Sequence, residues 1–292
     1  GTILMDFHFA NAEALGEFVG AEVGLLIKEL KLEDVDADAL VVNMKKWFGM
    51  YGNGTGCEMV SFGGEDGTMS VQYVTEVKDA EASLNLLKTM DKDMAPLFKM
   101  YENFGMPIET AFKENVRESD GIKIHQLNMS FEVTGMAVEQ REQMELMGLS
   151  NIVYEVAVDN GLMFYSGAGE MEALIKRVKS SASTESPLTA RTVYPKGGFY
   201  YFDLDMGDYM TFASRMLPNG PETGMVKQQM STLFEGVGPI TSAGFKQGGC
   251  VMWSVNLPGD LLAKYGQMIM MAQMQKMQQQ PGMGGPMGAP AE

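Results

Sequence analysis

Along this chain the apolar positions switch between a period of two and a period of three to four, and the switches recur in one order. Cys57 to Phe62 reads as a short strand, Gly63-Gly64-Glu65-Asp66-Gly67 as a turn, and Thr68 to Val77 as a second strand. A helix follows, in which Leu84, Leu87, Met90, Met94, Leu97 and Phe98 fall three or four apart and Asp79 is placed to cap the first turn. The plan returns at Ile152 to Val158, where Asp159-Asn160-Gly161 leads into Leu162 to Ser166 and a helix over Glu170 to Lys179. It returns again at Ile240 to Phe245, with Lys246-Gln247-Gly248-Gly249 as the turn, Cys250 to Leu257 as the second strand and a helix from Gly259. Asn-Gly and Gly-Gly supply the positive φ that tight hairpins require.

The first and last copies extend upstream, where Ile3-Leu4-Met5-Asp6-Phe7-His8 aligns with Tyr200-Tyr201-Phe202-Asp203-Leu204-Asp205 and each run gives way to a helical stretch. The pattern predicts an α+β fold of largely antiparallel sheets flanked by helices, with an internal β-α-β-β-α repeat. Between the copies, Gly121 to Val133 reads as a long strand and Val138 to Met147 as a helix. Residues 180–197, rich in Ser and bounded by Pro and Gly, read as a linker. An N-terminal α+β domain over 1–179 and a C-terminal repeat over 198–280 are therefore expected. Residues 281–292, dense in Met, Gly and Pro, are expected as a disordered tail.

Composition narrows the functions available. The 292 residues carry 38 acidic against 22 basic side chains, a formal charge of −16, and no basic patch that would offset repulsion from a phosphate backbone. Nucleic acid is excluded as a partner on that ground, and anionic lipid surfaces are disfavoured. No window approaches the length of uncharged apolar sequence that spans a membrane, since the best, near residues 12–30, is broken by Glu13, Glu17, Glu22, Lys28 and Glu29. The chain opens on Gly1-Thr2 with no initiator Met, the start expected of a processed leader or an artificial boundary, between which the sequence does not choose. A pairing of the only two cysteines, Cys57 and Cys250, is left open.

Candidate chemistry is sparse. Phe202-Asp203-Leu204-Asp205 after an apolar strand resembles the first motif of haloacid-dehalogenase phosphatases, which implies a Mg-dependent phosphohydrolase centred on Asp203 and Asp205. Met206-Gly207-Asp208 departs from that family's continuation, and the alignment of Asp203 with Asp6 gives the acid an architectural role, such as capping the next helix. The glycines at 52, 54 and 56 and at 167 and 169 stand in turn contexts and not at phosphate-binding helix starts. His8 and His125, the only histidines, sit apart in strand patterns, so no metal site and no catalytic residue is assigned. Methionine is the anomaly, with 28 residues and a concentration in the last helix. It substitutes for Leu in ordinary cores, lines adaptable apolar surfaces, or ligates Cu(I) through thioethers, with the first reading favoured. Phe199-Tyr200-Tyr201-Phe202 reads as a strand covered on both faces.

Val156-Ala157-Val158-Asp159-Asn160-Gly161-Leu162-Met163-Phe164-Tyr165-Ser166, the helix after it, the Ser/Pro linker and the new Tyr-Phe-Asp strand resemble the repeated units of uncharacterised bacterial exported proteins and lipoproteins. That resemblance implies an extracytoplasmic location, periplasmic or lipid-anchored, and carries over no functional residue. The expectation is a non-enzymatic binding or interaction protein without a cofactor, its apolar groove lined by Met268, Met271, Met274, Trp253 and Trp47. An apolar small molecule, a lipid or a protein would be its partner, with the phosphohydrolase and the Cu(I) protein as alternatives.

Overall fold

The computed structural model describes residues 2–8, 12–51, 55–62, 69–132, 150–167, 170–180, 198–215, 221–248 and 250–278, together with positions 138, 141, 142, 145 and 217. The chain opens with strand β1 (Thr2–His8), the helical hairpin α1 (Ala12–Glu29) and α2 (Ala37–Gly49), and strands β2 (Thr55–Phe62) and β3 (Met69–Glu76). Three short helices follow, α3 (Ala80–Lys88), α4 (Met90–Asp93) and α5 (Ala95–Asn103), then four strands, β4 (Ile108–Ser119), β5 (Ile122–Phe131), β6 (Asn151–Asp159) and β7 (Leu162–Ser166), and helix α6 (Met171–Ser180). The last part is β8 (Gly198–Leu204), α7 (Met206–Arg215), α8 (Pro221–Leu233), β9 (Ile240–Gln247), β10 (Cys250–Asn256) and α9 (Gly259–Gln278). All ten strands form one sheet in the order β10-β9-β8-β1-β2-β3-β7-β6-β5-β4, every neighbouring pair antiparallel. The chain is thus an α+β protein with helices flanking an antiparallel sheet.

Alternation along the strands assigns each side chain to a face. Met163, Val156 and Leu127 lie on the front, where they pack with Leu40, Met44 and Trp47 of α2 and with Leu86, Leu87, Met94 and Met100 of α3 to α5. Phe164, Ala157 and Ile124 point to the back and are covered by Met171, Leu174 and Ile175 of α6. The helical hairpin is held by an unusual stripe: α1 buries Ala12, Gly16, Gly20 and Gly24 against α2, spaced every fourth residue. A Cβ at Gly16 would lie 2.6 Å from the Met44 carbonyl oxygen, and one at Gly20 would lie 2.8 Å from Val41 Cα. Only glycine permits that approach; Phe18, Leu25 and Leu26 of α1 face outward, while Ile27 and Val23 turn into the front core.

Several expectations are met and others corrected. Asp79 caps α3, its carboxylate accepting from the Ala82 N–H at 3.0 Å by the same geometry that Asp36 provides to Ala39 in α2 at 2.9 Å. The single helix expected after Asp79 is three, broken at Thr89 and Met94, where ψ rises to 10° and 8° and Pro96 follows. The Asn160-Gly161 turn is present, with φ of 51° and 78°. Asp120-Gly121 (φ 52° and 78°) makes the same turn between β5 and β4, a strand the hydrophobic pattern does not announce because its exposed positions are charged. The start of β8 beyond the expected linker does not begin a separate sheet, since β8 pairs with β1. A Cys57–Cys250 disulfide is excluded: β2 and β10 are separated by β9, β8 and β1, a span of about 19 Å at the usual strand spacing, well beyond what the bond can bridge. The expected turn at 63–67, the linker at 181–197, most of the helix at 138–147 and the tail at 281–292 lie outside the described residues.

Candidate interaction edge

The sheet has two edges, and their chemistry is opposite. Edge strand β4 carries Glu109, Lys113, Glu114, Arg117 and Glu118 and is bulged between Lys113 and Arg117, with Asn115 at a φ of 50°. Elements on both faces brace it. Lys88 of α3 pairs with Glu114 on the front. Arg117 donates to both Glu155 oxygens at 2.8 and 2.7 Å and also pairs with Glu172 of α6 on the back. His125 stacks on Phe112 with ring centroids 5.5 Å apart, and its Nδ1 accepts the Asn115 N–H at 3.4 Å. Burial holds this imidazole below its ordinary value; Glu114 pulls the other way and Lys88 and Lys123 add to the depression. Charge, a bulge and covering helices are the devices by which sheets prevent edge pairing.

Among the described residues the opposite edge has none of them. β10 reads Cys-Val-Met-Trp-Ser-Val-Asn and bears no charge, and between Gln247 and Gln275 the only charged residues are Asp260 and Lys264, of opposite sign. Met252, Trp253, Ser254, Val255 and Asn256 are all exposed, so at these positions neither face of the strand is covered. The register shows how abrupt the change is. One row of backbone register partners runs through positions 253, 244, 200, 7, 56, 75 and 163 across seven strands. Its Met163 end is completely buried and its Trp253 end is 60% exposed.

Trp253 is held in place rather than loose. Its ring meets Phe199 and Tyr200 edge-on at centroid distances of 5.6 and 5.4 Å. Phe199 and Trp253 sit over Gly244, where a Cβ would lie 2.8 Å from the Phe199 ring and 3.1 Å from Trp253. A bulge in β8 between Gly198 and Tyr200 brings two consecutive aromatics to this shelf. β10 then ends at Leu257-Pro258, and α9 starts with the Leu261 N–H donating to the Asp260 carboxylate at 3.0 Å. Leu261 anchors the helix in a small core of Met206, Met210, Phe234 and Val237, with Met268 packed alongside and Tyr265 edge-on to Phe234 at 5.5 Å. Leu262, Ile269 and Met270 remain exposed.

The residues expected to line one groove are therefore dispersed. Trp253 stands at the open edge and Met268 is half-buried in the α9 core, whereas Trp47 is buried in the front core beneath α2. The side chains of Met271 and Met274 lie outside the described residues, as do those of His8 and Cys57. Asp203 is buried within β8, while Asp205 is exposed beyond the strand and accepts the Asp208 N–H at 3.0 Å, so the cap of α7 is Asp205 and not Asp203. Among the described residues no group of three or more His, Cys, Asp or Glu side chains could hold a metal ion, and no helix is long and apolar enough to cross a membrane. The edge itself was missed by the sequence reading, although its signal was available: a charge-free strand carrying a Trp in a strongly acidic chain. Comparison with protein-family models, with curated proteins and with solved structures returned no match.

Proposed function

We propose that this chain is a non-enzymatic interaction protein that binds another polypeptide along β10, the partner adding an antiparallel strand to the open edge. The observation that carries this is the contrast between a guarded β4 and an unguarded β10, because an exposed apolar edge with free backbone donors and acceptors is the surface on which strand addition occurs. The Trp253 shelf supplies a rigid aromatic anchor, of the kind that dominates binding energy at interfaces. The proposal extends to the extracytoplasmic location that the resemblance implies and to the repeated unit. The second is supported by register: the alignment of β1 with β8 sets Met5 opposite Phe202, and those two residues pair directly in the sheet.

The test is photo-crosslinking in cells that naturally express the protein, with p-benzoylphenylalanine placed at Trp253 and, as control, at Glu109 on β4. Adducts to a polypeptide are expected from position 253 and not from 109. Equal or absent adducts at both positions remove β10 as a docking edge.

A further inference from the structure

We propose that the strand occupying β10 is β10 of a second copy of this chain, paired antiparallel about a two-fold axis with Trp253 opposite Trp253 of the partner subunit. This rests on the reading of β10 as a docking edge and names its occupant.

Charge is the first argument. Two copies of a chain with formal charge −16 repel each other over most of their surfaces. The stretch from Gln247 to Gln275 carries almost none of that charge, since its Asp260 and Lys264 cancel. An acidic chain can approach itself there without placing like charges in contact, a condition that β4, with three glutamates, does not meet.

The chain's own joints supply the second argument. Taking β1-α1-α2-β2-β3 and β8-α7-α8-β9-β10 as equivalent units, β10 corresponds to β3, and the outer edge of β3 is already covered by an antiparallel strand, β7. That strand, Leu-Met-Phe-Tyr-Ser, is short, uncharged and aromatic, and it sets Tyr165 directly opposite Tyr73 with rings 5.5 Å apart. β10 has the same chemistry: seven residues, no charge, and a single aromatic near its middle. A dyad at Trp253 reproduces the aromatic-on-aromatic pair, which is a favourable cross-strand combination. It also sets residue 250 opposite residue 256 of the second copy.

Area is the third. Four large apolar side chains on and just after β10, Met252, Trp253, Val255 and Leu257, are between 42% and 63% exposed. At roughly 100 Å² apiece they present on the order of 400 Å² per copy, the scale of a small, reversible interface.

Sedimentation velocity of the full chain across a wide concentration range tests the proposal. A reversible species of twice 32.0 kDa is expected. Val255→Lys and Met252→Lys, which place charges on opposite faces of β10, should each weaken self-association about 100-fold. Val42→Lys, at an equally exposed apolar position on α2, should leave it unchanged. The register is read separately: Asn256→Cys should oxidise to a covalent dimer through native Cys250, and Val116→Cys on β4 should not. A monomer at every concentration, a dimer broken as readily by Val42→Lys, or no covalent dimer from Asn256→Cys overturns the proposal. If the chain is monomeric while Trp253 crosslinks in cells to a different polypeptide, the docking edge stands and only the second copy is lost. If neither dimer nor adduct is found, both are lost.

Discussion

The two ends of this sheet put the same strand chemistry to different uses. Around β5, β6 and β7 the sheet is sandwiched between α2 to α5 in front and α6 behind, and the outermost strand is charged, bulged and ion-paired to helices on both faces. Around β10 the helices anchor through a much smaller core, centred on Phe234 and Leu261, and the outermost strand is left bare. What separates the ends is therefore where apolar surface was invested: in stabilising the chain at one end, and in a surface held ready for another strand at the other. That distinction is measurable, because a residue that only folds the chain and one that only presents a surface respond differently to substitution.

The largest effect should come from the sandwiched end. Phe164, almost completely buried against Met171, Leu174 and Ile175, should cost about 3–5 kcal/mol when truncated to Ala, from lost transfer energy and the cavity left behind. Urea unfolding with an unchanged slope checks it. A cost below about 1 kcal/mol would mean that α6 is not packed on the back face as described.

Next is a comparison between helices. Gly16→Ala places a Cβ 2.6 Å from the Met44 carbonyl oxygen, so overpacking of about 1–3 kcal/mol should outweigh the gain in helix propensity, which is at most about 1 kcal/mol. Gly266→Ala in α9 meets nothing within 4 Å, so the propensity gain of up to about 1 kcal/mol should appear unopposed. Thermal or urea midpoints moving in opposite directions would support this assignment of the two glycines; movement in the same direction would refute it.

Much of this architecture was legible in the sequence, for stated reasons. Hairpins marked by Asn-Gly or by glycines could be read because their turn residues carry a conformational requirement, and Asp79 could be read because a capping carboxylate has a fixed offset from the helix it caps. β4 could not, because its charges mask the period of two, although Asp120-Gly121 was a usable turn signal. In α1 the glycine stripe makes most of the buried face small, with Ile27 its one large buried residue, and Phe18 and Leu25 are exposed, so a count of apolar positions points largely to the wrong side of the helix. Trp253 and Trp47 were both identified as candidate site residues, yet one is at an edge and the other in a core, a difference set by strand order. Strand order is a long-range property, and no local spacing encodes it.

A smaller, pH-dependent effect belongs to the guarded edge. His125 is buried with its titration point below that of the unfolded chain, so the unfolded state takes up the proton first as pH falls. The stability it supports is fully present above an unfolded value of about 6.5 and is lost as pH drops from there through the folded value. Urea midpoints from about pH 8 to about pH 5 should fall more steeply for the native chain than for His125→Gln, with amide exchange accelerating first in β4 and β5. Identical slopes would show that the imidazole does not couple to this edge.

The smallest effect on stability is the most informative about β10. Trp253 has 60% of its surface in water, and among the described residues its ring contacts are edge contacts with Phe199 and Tyr200 beside Gly244. Removing it leaves no cavity in a closed core, so Trp253→Ala should change unfolding free energy by less than about 1 kcal/mol, the value of one or two partly exposed aromatic contacts. The same truncation should weaken association at β10 about tenfold or more, since an anchoring Trp at the centre of an interface is worth about 2 kcal/mol or above. Denaturant midpoints and sedimentation on the same sample separate the two quantities. A stability loss near that of Phe164→Ala would make Trp253 a folding residue, and the exposed shelf would then need no partner to explain it.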